Sequence, residues 1–505
     1  MTAGTVQVHL SVDDRRTQGV EAARATPLAS HAEGPPVSGR ADPVGLLVEQ
    51  NAVREPDLVP VRHGRMMVSP FTFYRGAAKI MAADLAGTPT AGLEVQVCGD
   101  AHLSNFGGFG SPERQLVFGL NDFDQTLPGP FEYDLKRMAA SFTIAARNNG
   151  FTAAEARAIT VDSVKAYRES MAKFAEMRTL DVWYAHMSEQ RFAEAMRAFQ
   201  DETAPGKNKE KDKGKTGKGK GVKKQGKSSK AADAGGGSSD IVKTATKAFR
   251  KAHTRDSLQA LGRFAEVVDG KYRIAAQPPV VVPLRDMDGY EGQSTDQIRE
   301  IVADQFRAYQ SSLTANRRKL LERFTIVDMA RKVVGVGSVG TRAWMVLLEG
   351  RDTGDPLFLQ VKEATRSVLE DHLPKSKFNT PGQRVVEGQR LMQATPDIFL
   401  GWTKGVQDDR YYYWRQLRDM KASALVEIMT PVGMTFYARL CGATLARAHA
   451  RSGDPVAIAA YIGPDNDLDQ AITSFSARYA DQNNEDYEAF VQAVKDGRID
   501  AVQGV

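Results

Sequence analysis

The sequence predicts an α+β protein of two lobes, a larger, mostly helical one and a smaller one built on an antiparallel sheet. Three observations carry this. Apolar residues recur at helical spacing, as in Leu135, Met138, Ala139 and Phe142 within 134–148, and Phe436, Leu440, Ala443 and Leu445 within 433–451. Residues 327–362 instead read as three strands, ARKVVGVGSVG, TRAWMVLLEG and PLFLQVK, with DTGD turn chemistry before the third. LEVQVCGD at 93–100 reads as a short strand entering a turn.

Taken in order, residues 1–40 are rich in Ala, Gly, Pro, Ser and Thr without periodicity, so a disordered tail is expected. Residues 41–150 supply the 93–100 strand, a helix suggested by FTFYRGAAKIMAADLA (71–86) and the helix at 134–148. Residues 151–325 read as a helical part of the large lobe, with more than one helix over 153–200 and one or two over 294–323. A lysine-rich insert at 204–239 interrupts them; with almost no apolar residue it cannot offset its chain entropy and is expected to be disordered. Residues 326–420 form the β-rich lobe, its strands continuing through DIFLGWT (397–403) and RYYYWRQL (410–417), and 421–505 return to helix.

The chain has 505 residues, 42% hydrophobic and 26% charged, ordinary values for a globular protein large enough for two lobes. The net charge of +5 is local. Between Lys207 and Lys230 eleven lysines face only Glu210 and Asp212, and removing that +9 leaves −4 for the remainder. A nucleic-acid or acidic partner is therefore expected only through the insert, whose plainer role is a solvated loop. Two cysteines, Cys98 and Cys441, cannot make a disulfide framework, so a reducing, cytoplasmic setting is expected. No signal pattern or membrane-length apolar run is present, and no membrane partner is expected.

Two clusters of residues carry chemistry. The first lies in VCGDAHLSNFGGFG and VFGLNDFDQTLPGPFEYDL. Phosphoryl transfer needs a carboxylate to take the proton of an attacking hydroxyl, and hard oxygen ligands to hold Mg²⁺ against the phosphates. Asp100 and Asn105 have D-x-x-x-x-N spacing, and Asp122 follows 22 residues after Asp100, beyond a strand, a turn and a strand. Asp124 reads either as a second metal ligand or as a cap for the turn before Leu127 and Pro128. Turn preference alone also enriches Asp, Asn and Gly in loops, and His102 alone reads most simply as a loop-packing residue.

Here the sequence resembles the protein-kinase-like superfamily, and within it the aminoglycoside phosphotransferase branch, which carries His two residues after the catalytic Asp, as His102 stands here. The resemblance implies that Asp100 is the catalytic base, that Asn105, Asp122 and Asp124 hold metal, and that Asp134 in YDLKRMA braces the loop from a helix. Cys98 departs from the superfamily, which usually has His there. The stretch is also similar to an uncharacterised bacterial family, the DUF2252 proteins, over most of the chain outside tail and insert.

The second cluster is GVGSVG. Gly335, Gly337 and Gly340 fit G-x-G-x-x-G, a weak signal alone. In a dinucleotide fold this loop opens a helix; in a kinase-like lobe it joins two strands over the ATP phosphates. Strand and turn signals follow it here, and Lys362 in QVKEA matches the lysine of V-A-I-K, a point charge for the phosphates. Gly335, Gly337, Ser338, Gly340 and Lys362 are the expected nucleotide-binding residues, with Glu387 in VVEGQRLMQA orienting the lysine. Glu370 competes for that role; Glu363 is disfavoured because adjacent strand residues face opposite ways. Arg342 reads as either a phosphate contact or a solvated strand residue. By analogy adenine would meet the backbone near Gln416–Asp419.

Lys362 comes 262 residues after Asp100, the reverse of the usual order, so the resemblance implies a circularly permuted kinase-like fold, α+β and bilobal. The expected function is ATP- and Mg²⁺-dependent phosphotransfer to a hydroxyl of a small molecule, with 151–200 and 240–325 shaping the acceptor pocket. A nucleotide-sensing pseudokinase, a nucleotidyl transferase and nucleic-acid binding through the lysine tract are the alternatives.

Overall fold

The computed structural model describes residues 10–35, 38–203, 252, 254, 257–333, 335–405, 409–417 and 420–504. The lysine-rich insert 204–239, residues 1–9 of the expected tail, and Arg418 and Asp419 of the expected adenine contact lie outside them. The fold is α+β, with helices and several small antiparallel sheets.

The largest sheet has six strands, in the order Gly401–Lys404, Tyr411–Gln416, Pro356–Glu363, Ala343–Glu349, Thr325–Lys332 and Val281–Pro283, each antiparallel to its neighbour. Alternation along Pro356–Glu363 separates two faces. Leu357, Leu359 and Val361 join Trp344, Val346 and Trp414 in one apolar core, while Phe358 joins Met345 and Leu347 in another. Lys362 and Gln360 belong to the Phe358 face. Register pairs Lys362 with Ala343 on one side and Tyr413 on the other.

Both faces are covered by residues that the sequence assigns to the helical lobe, which corrects the expected boundary at 325. The helix Thr295–Gln310 seats Ile298, Val302, Phe306 and Tyr309 on the first face, with Tyr309 stacked on Trp414 at 4.7 Å between ring centroids. Ala260, Leu261 and Phe264 of the helix Ser257–Phe264 cover the second. Periodicity reveals that a helix has an apolar face, not which surface receives it.

The helical body packs Phe131–Asn148, Ala153–Ala175, Pro431–Ser452, Pro455–Ile462 and Asp467–Lys495 around Phe131, Phe142, Tyr167, Leu445 and Phe475. The expectation of a disordered tail fails for its described residues. Val12–Ala25 is a helix closed by a capping box, in which Ser11 Oγ accepts from the Asp14 N–H and the Asp14 carboxylate accepts from the Ser11 N–H. It packs against Pro455–Ile462. Beyond it, buried His31 meets the Tyr461 hydroxyl at 2.5 Å, and Arg40 bridges Asp84 and Asp486 at 2.7 and 2.6 Å. Ala22 and Ala23, with Leu28 after the helix, make the apolar contact, and alanines leave a weak sequence signal.

Two smaller sheets stand between these bodies. Glu94–Val97 pairs with Leu127–Pro130, and Phe106–Gly110 pairs with Leu116–Leu120 in a sheet that also includes Ala422–Ser423 and Met187–Ser188. The first brings Asp100 beyond one strand end close to Asp122 and Asp124 before the other. Among the described residues, no helix is long and apolar enough to cross a membrane.

Candidate functional site

The Asp100 loop is built from below. Asp134, fully buried near the start of Phe131–Asn148, accepts from the backbone N–H groups of Cys98 at 2.7 Å and Gly99 at 2.9 Å. Its Oδ2 also lies 3.3 Å from Nε2 of His449, on the helix Pro431–Ser452. Cys98 is buried, and burial pushes its thiol well above the usual range. Three residues after Asp134, on the same helical face, Arg137 grips Oδ1 of Asp100, with Nε at 2.8 Å and Nη2 at 2.7 Å. Asn105 Nδ2 donates to the Asp100 carbonyl at 2.7 Å, closing the loop on itself.

Burial pushes the Asp100 carboxyl up to about 6; Arg137 pulls it down, while the charges of Asp122 and Asp124 add to the rise. His102 Nε2 lies 3.8 Å from Asp100 Oδ2. Burial, with Arg137 and Arg75 nearby, holds its imidazole well below the usual range, so it is neutral.

The two distant segments meet at Asp124. Lys362, 238 residues later, donates to its Oδ2 and, at 2.7 Å, to Ser338 Oγ in the glycine loop. Tyr413 donates to Oδ1 at 2.7 Å. The cross-strand pairing of Lys362 with Tyr413 is what aims both side chains at one carboxylate. Burial works against the charge on Asp124, but the Lys362 ammonium and the hydrogen bonds from Lys362 and Tyr413 outweigh it and hold the carboxyl below its usual range. The same pairing raises Lys362 above the usual amine range against its own burial. Both are charged at neutral pH.

The glycine loop lies over this pair. Gly335 and Gly340 have φ of +66° and +85°, where residues with a Cβ are strained. Gly337 comes so near Arg75 that a Cβ there would stand 2.9 Å from the Arg75 carbonyl oxygen. Arg54 Nη1 donates to the Val339 carbonyl at 2.5 Å, and Arg65 Nη1 to the Gly335 carbonyl at 2.6 Å.

Two cavities open here, of about 410 and about 670 Å³, and Arg75, Asn105, Asp122, Gly335 and Ser338 line both. Asp100, His102 and Asp124 face the smaller; Lys362, Arg415 and Gln416 face the larger. The smaller cavity is also walled by Glu49, Arg54, Lys79 and Asp371. Neither cavity is lined by residues 151–200, the segment expected to shape the acceptor pocket, whereas Arg263, Phe264, Val280 and Lys332 line the larger.

Of the residues singled out in the sequence, the structure thus gathers Asp100, Asn105, Asp122, Asp124, Gly335, Gly337, Ser338 and Lys362 around one cleft. Glu387 is not the partner of Lys362; it accepts from Arg390 at 2.9 Å, and Asp124 takes its place. Glu370 is 3.8 Å from Arg384. Glu363 lies on the opposite strand face from Lys362, paired with Arg342 at 3.2 Å. Arg342 itself is buried between Glu363 and Glu291, neither solvated nor directed at the cleft. Arg54, Arg75, Arg137, Tyr413 and Arg415 escaped the sequence reading. Arg137 carried one signal, its i+3 position from Asp134 on a largely apolar helix, and Tyr413 another, the strand next to the lysine.

As to metal, no group of three or more His, Cys, Asp or Glu residues placed to hold an ion occurs among the described residues. The oxygen donors nonetheless fit a hard cation that keeps most of its ligands as water or phosphate. Asp122 forms no ion pair among the described residues; the one hydrogen bond its carboxylate accepts is from the Asp124 N–H, at 3.1 Å. With Nδ2 of Asn105 committed to Asp100, its Oδ1 is the atom left for an ion. Asp124, committed to Lys362, suits this less well than the sequence suggests.

A family model described as an uncharacterized protein conserved in bacteria, DUF2252, matches residues 54–220 and 221–493. The chain belongs to the DUF2252 family. No curated protein and no solved structure matches it. The matched residues of this DUF2252 chain include most of the cleft described above, from Arg54 and Asp100 through Lys362 and Arg415, while Glu49 lies before them.

Proposed function

We propose that the cleft binds ATP with Mg²⁺ and transfers the terminal phosphoryl group to a hydroxyl of a small-molecule acceptor, on a kinase-like fold with its segments in permuted order. One observation carries the reading: Lys362 and Ser338 of the glycine-loop segment converge on Asp124, beside Asp122 and Asp100, across 238 residues of chain. Nothing in local folding requires that meeting, and it joins the residue types that phosphoryl transfer uses.

In this reading Lys362 offers its ammonium to the phosphates, with Asp124 keeping it charged and aimed. The backbone of Gly335–Gly340 covers the phosphates, with glycine at the two positions of positive φ and where the loop crosses the Arg75 carbonyl. Asp122 and Asn105 Oδ1 hold Mg²⁺, which when bound neutralises charge on the phosphates. Asp100 takes the proton of the acceptor hydroxyl, and with its carboxyl at about 6 it is mostly ionised at neutral pH yet basic enough to accept. The larger cavity, next to Gln416, takes the nucleoside, and the smaller, walled by Glu49, Arg54, Lys79 and Asp371, takes a polar acceptor.

Transfer of label from γ-labelled ATP to a panel of hydroxylated small molecules tests this. Asp100→Ala should abolish transfer and keep ATP affinity. Because burial raises the Asp100 carboxyl, it holds its proton in acid, so the wild-type rate should climb as pH rises through about 6 and level off by neutrality. Full activity in Asp100→Ala would remove the base role, and α-label on the acceptor would mean nucleotidyl transfer. A second reading, nucleotide binding without transfer, is favoured by Arg137, which already occupies Oδ1 of Asp100. It would show as saturable ATP binding with no labelled product.

A further inference from the structure

Arginines crowd the joint between the Asp100 loop and the glycine loop, and most are tied to protein groups. Arg54 and Arg65 hold glycine-loop carbonyls. Arg62 donates to Asn51 Oδ1 at 2.9 Å and the Gly76 carbonyl at 2.8 Å. Arg137 donates to Asp100 and, at 2.8 Å, to the Tyr74 carbonyl.

Arg75 differs. Its side chain makes no ion pair or hydrogen bond among the described residues, and its Nε is buried without a partner. It stands near the end of the helix Pro70–Gly76, its carbonyl directly beneath Gly337. Its side chain lines both cavities, between the Asp100 side and the Lys362 side. Burial pushes its guanidinium below the usual range, and Glu427 and Asp100 offset this only in part. A guanidinium does not shed its proton in a protein, so the charge persists. A partly buried cation without a counter-ion, aimed into a cleft, is poised for an anion that arrives with a substrate.

We propose that Arg75 is the receptor for a phosphate-like anionic group at the junction of the two cavities. That group is either the terminal phosphoryl of a nucleotide or an anionic group borne by the acceptor. The first assignment rests on the function proposed above; the anion site does not.

Calorimetric titration of full-length protein with tripolyphosphate, inorganic phosphate, ATP and ADP, each with Mg²⁺, tests it. The variants are Arg75→Gln, Arg75→Lys and Arg157→Gln, the last removing an exposed charge bonded to Gln470. Expected is tripolyphosphate binding by the wild type, weakened about tenfold or more in Arg75→Gln, in line with loss of one charge-assisted contact, partly restored in Arg75→Lys and unchanged in Arg157→Gln. Selective loss for ATP over ADP would assign the anion to the terminal phosphoryl. Loss of inorganic phosphate binding with ATP and ADP unaffected would assign it to the acceptor. Binding of tripolyphosphate through Arg75 without any ATP binding would support the anion site while defeating the nucleotide reading. Wild-type protein that binds none of the four, or a folded Arg75→Gln that binds all as the wild type does, would overturn the proposal. So would a marked fall in the melting temperature of Arg75→Gln, which would show the guanidinium tied into the fold.

Discussion

The two loops that face each other across the cleft are held in different ways. The Asp100 loop is fixed from within the helical body by buried side chains: Asp134 takes two of its N–H groups, Arg137 takes its carboxylate, and the Tyr437 hydroxyl caps the Leu103 and Phe106 carbonyls at 2.8 and 3.0 Å. The glycine loop is held by arginines on its carbonyls and by Lys362 on Ser338. Those grips come from long side chains, and Lys362 is one that a bound phosphate would share. The Asp100 side is therefore preorganised by the fold, and under the proposed function the glycine side is the one whose contacts a substrate would rearrange.

That contrast can be broken at either end. The largest effect is expected from Asp134→Ala. It orphans the buried Cys98 N–H, the part-buried Gly99 N–H and the His449 contact, and should lower unfolding free energy by about 3–5 kcal/mol, read from the denaturant midpoint. A shift below about 1 kcal/mol, the size of an ordinary single hydrogen bond, would mean that the loop is not braced from below. Gly337→Ala should act in the opposite sense. Its Cβ meets the Arg75 carbonyl, so the loop must lift by a few tenths of an ångström. Stability should fall by about 1–3 kcal/mol, the usual cost of overpacking, while ATP affinity falls several-fold; unchanged affinity would mean that the loop does not cover the phosphates. The smallest effect is expected from Glu387→Ala. A partly exposed pair with Arg390 contributes about 0–1 kcal/mol. A large loss of nucleotide affinity there would restore Glu387 as the partner of Lys362 and displace Asp124.

What the sequence disclosed, and what it hid, follows the same physics. The strands around Lys362 were legible because alternation is local: PLFLQVK shows its two faces without reference to anything distant. The Asp100 and Asn105 spacing was legible because a loop closes on itself within five residues, as the Asn105–Asp100 bond does. The Lys362 counter-ion was not. It was assigned to the next helix, whereas register places the lysine beside Tyr413 and aims both at a carboxylate in the other half of the chain. Arg75 and Arg54 carried no signal, since a charged residue, in a helix as Arg75 is or in a connection as Arg54 is, reads as solvated until the opposing surface is known. The helix Thr295–Gln310 was found but assigned to the wrong body, and the helix Val12–Ala25 was missed, because its contacts use alanines that composition alone reads as featureless.

The central claim is that two segments far apart in the chain build one nucleotide site. Calorimetric titration of ATP into the purified protein, with and without Mg²⁺, alongside Lys362→Met and Asp122→Ala, tests it most directly. Saturable, Mg²⁺-dependent binding that both substitutions weaken is the expected result, because each removes a group from a different segment of the same site. No binding by the wild type at millimolar ATP, or binding that both variants retain in full, would contradict it.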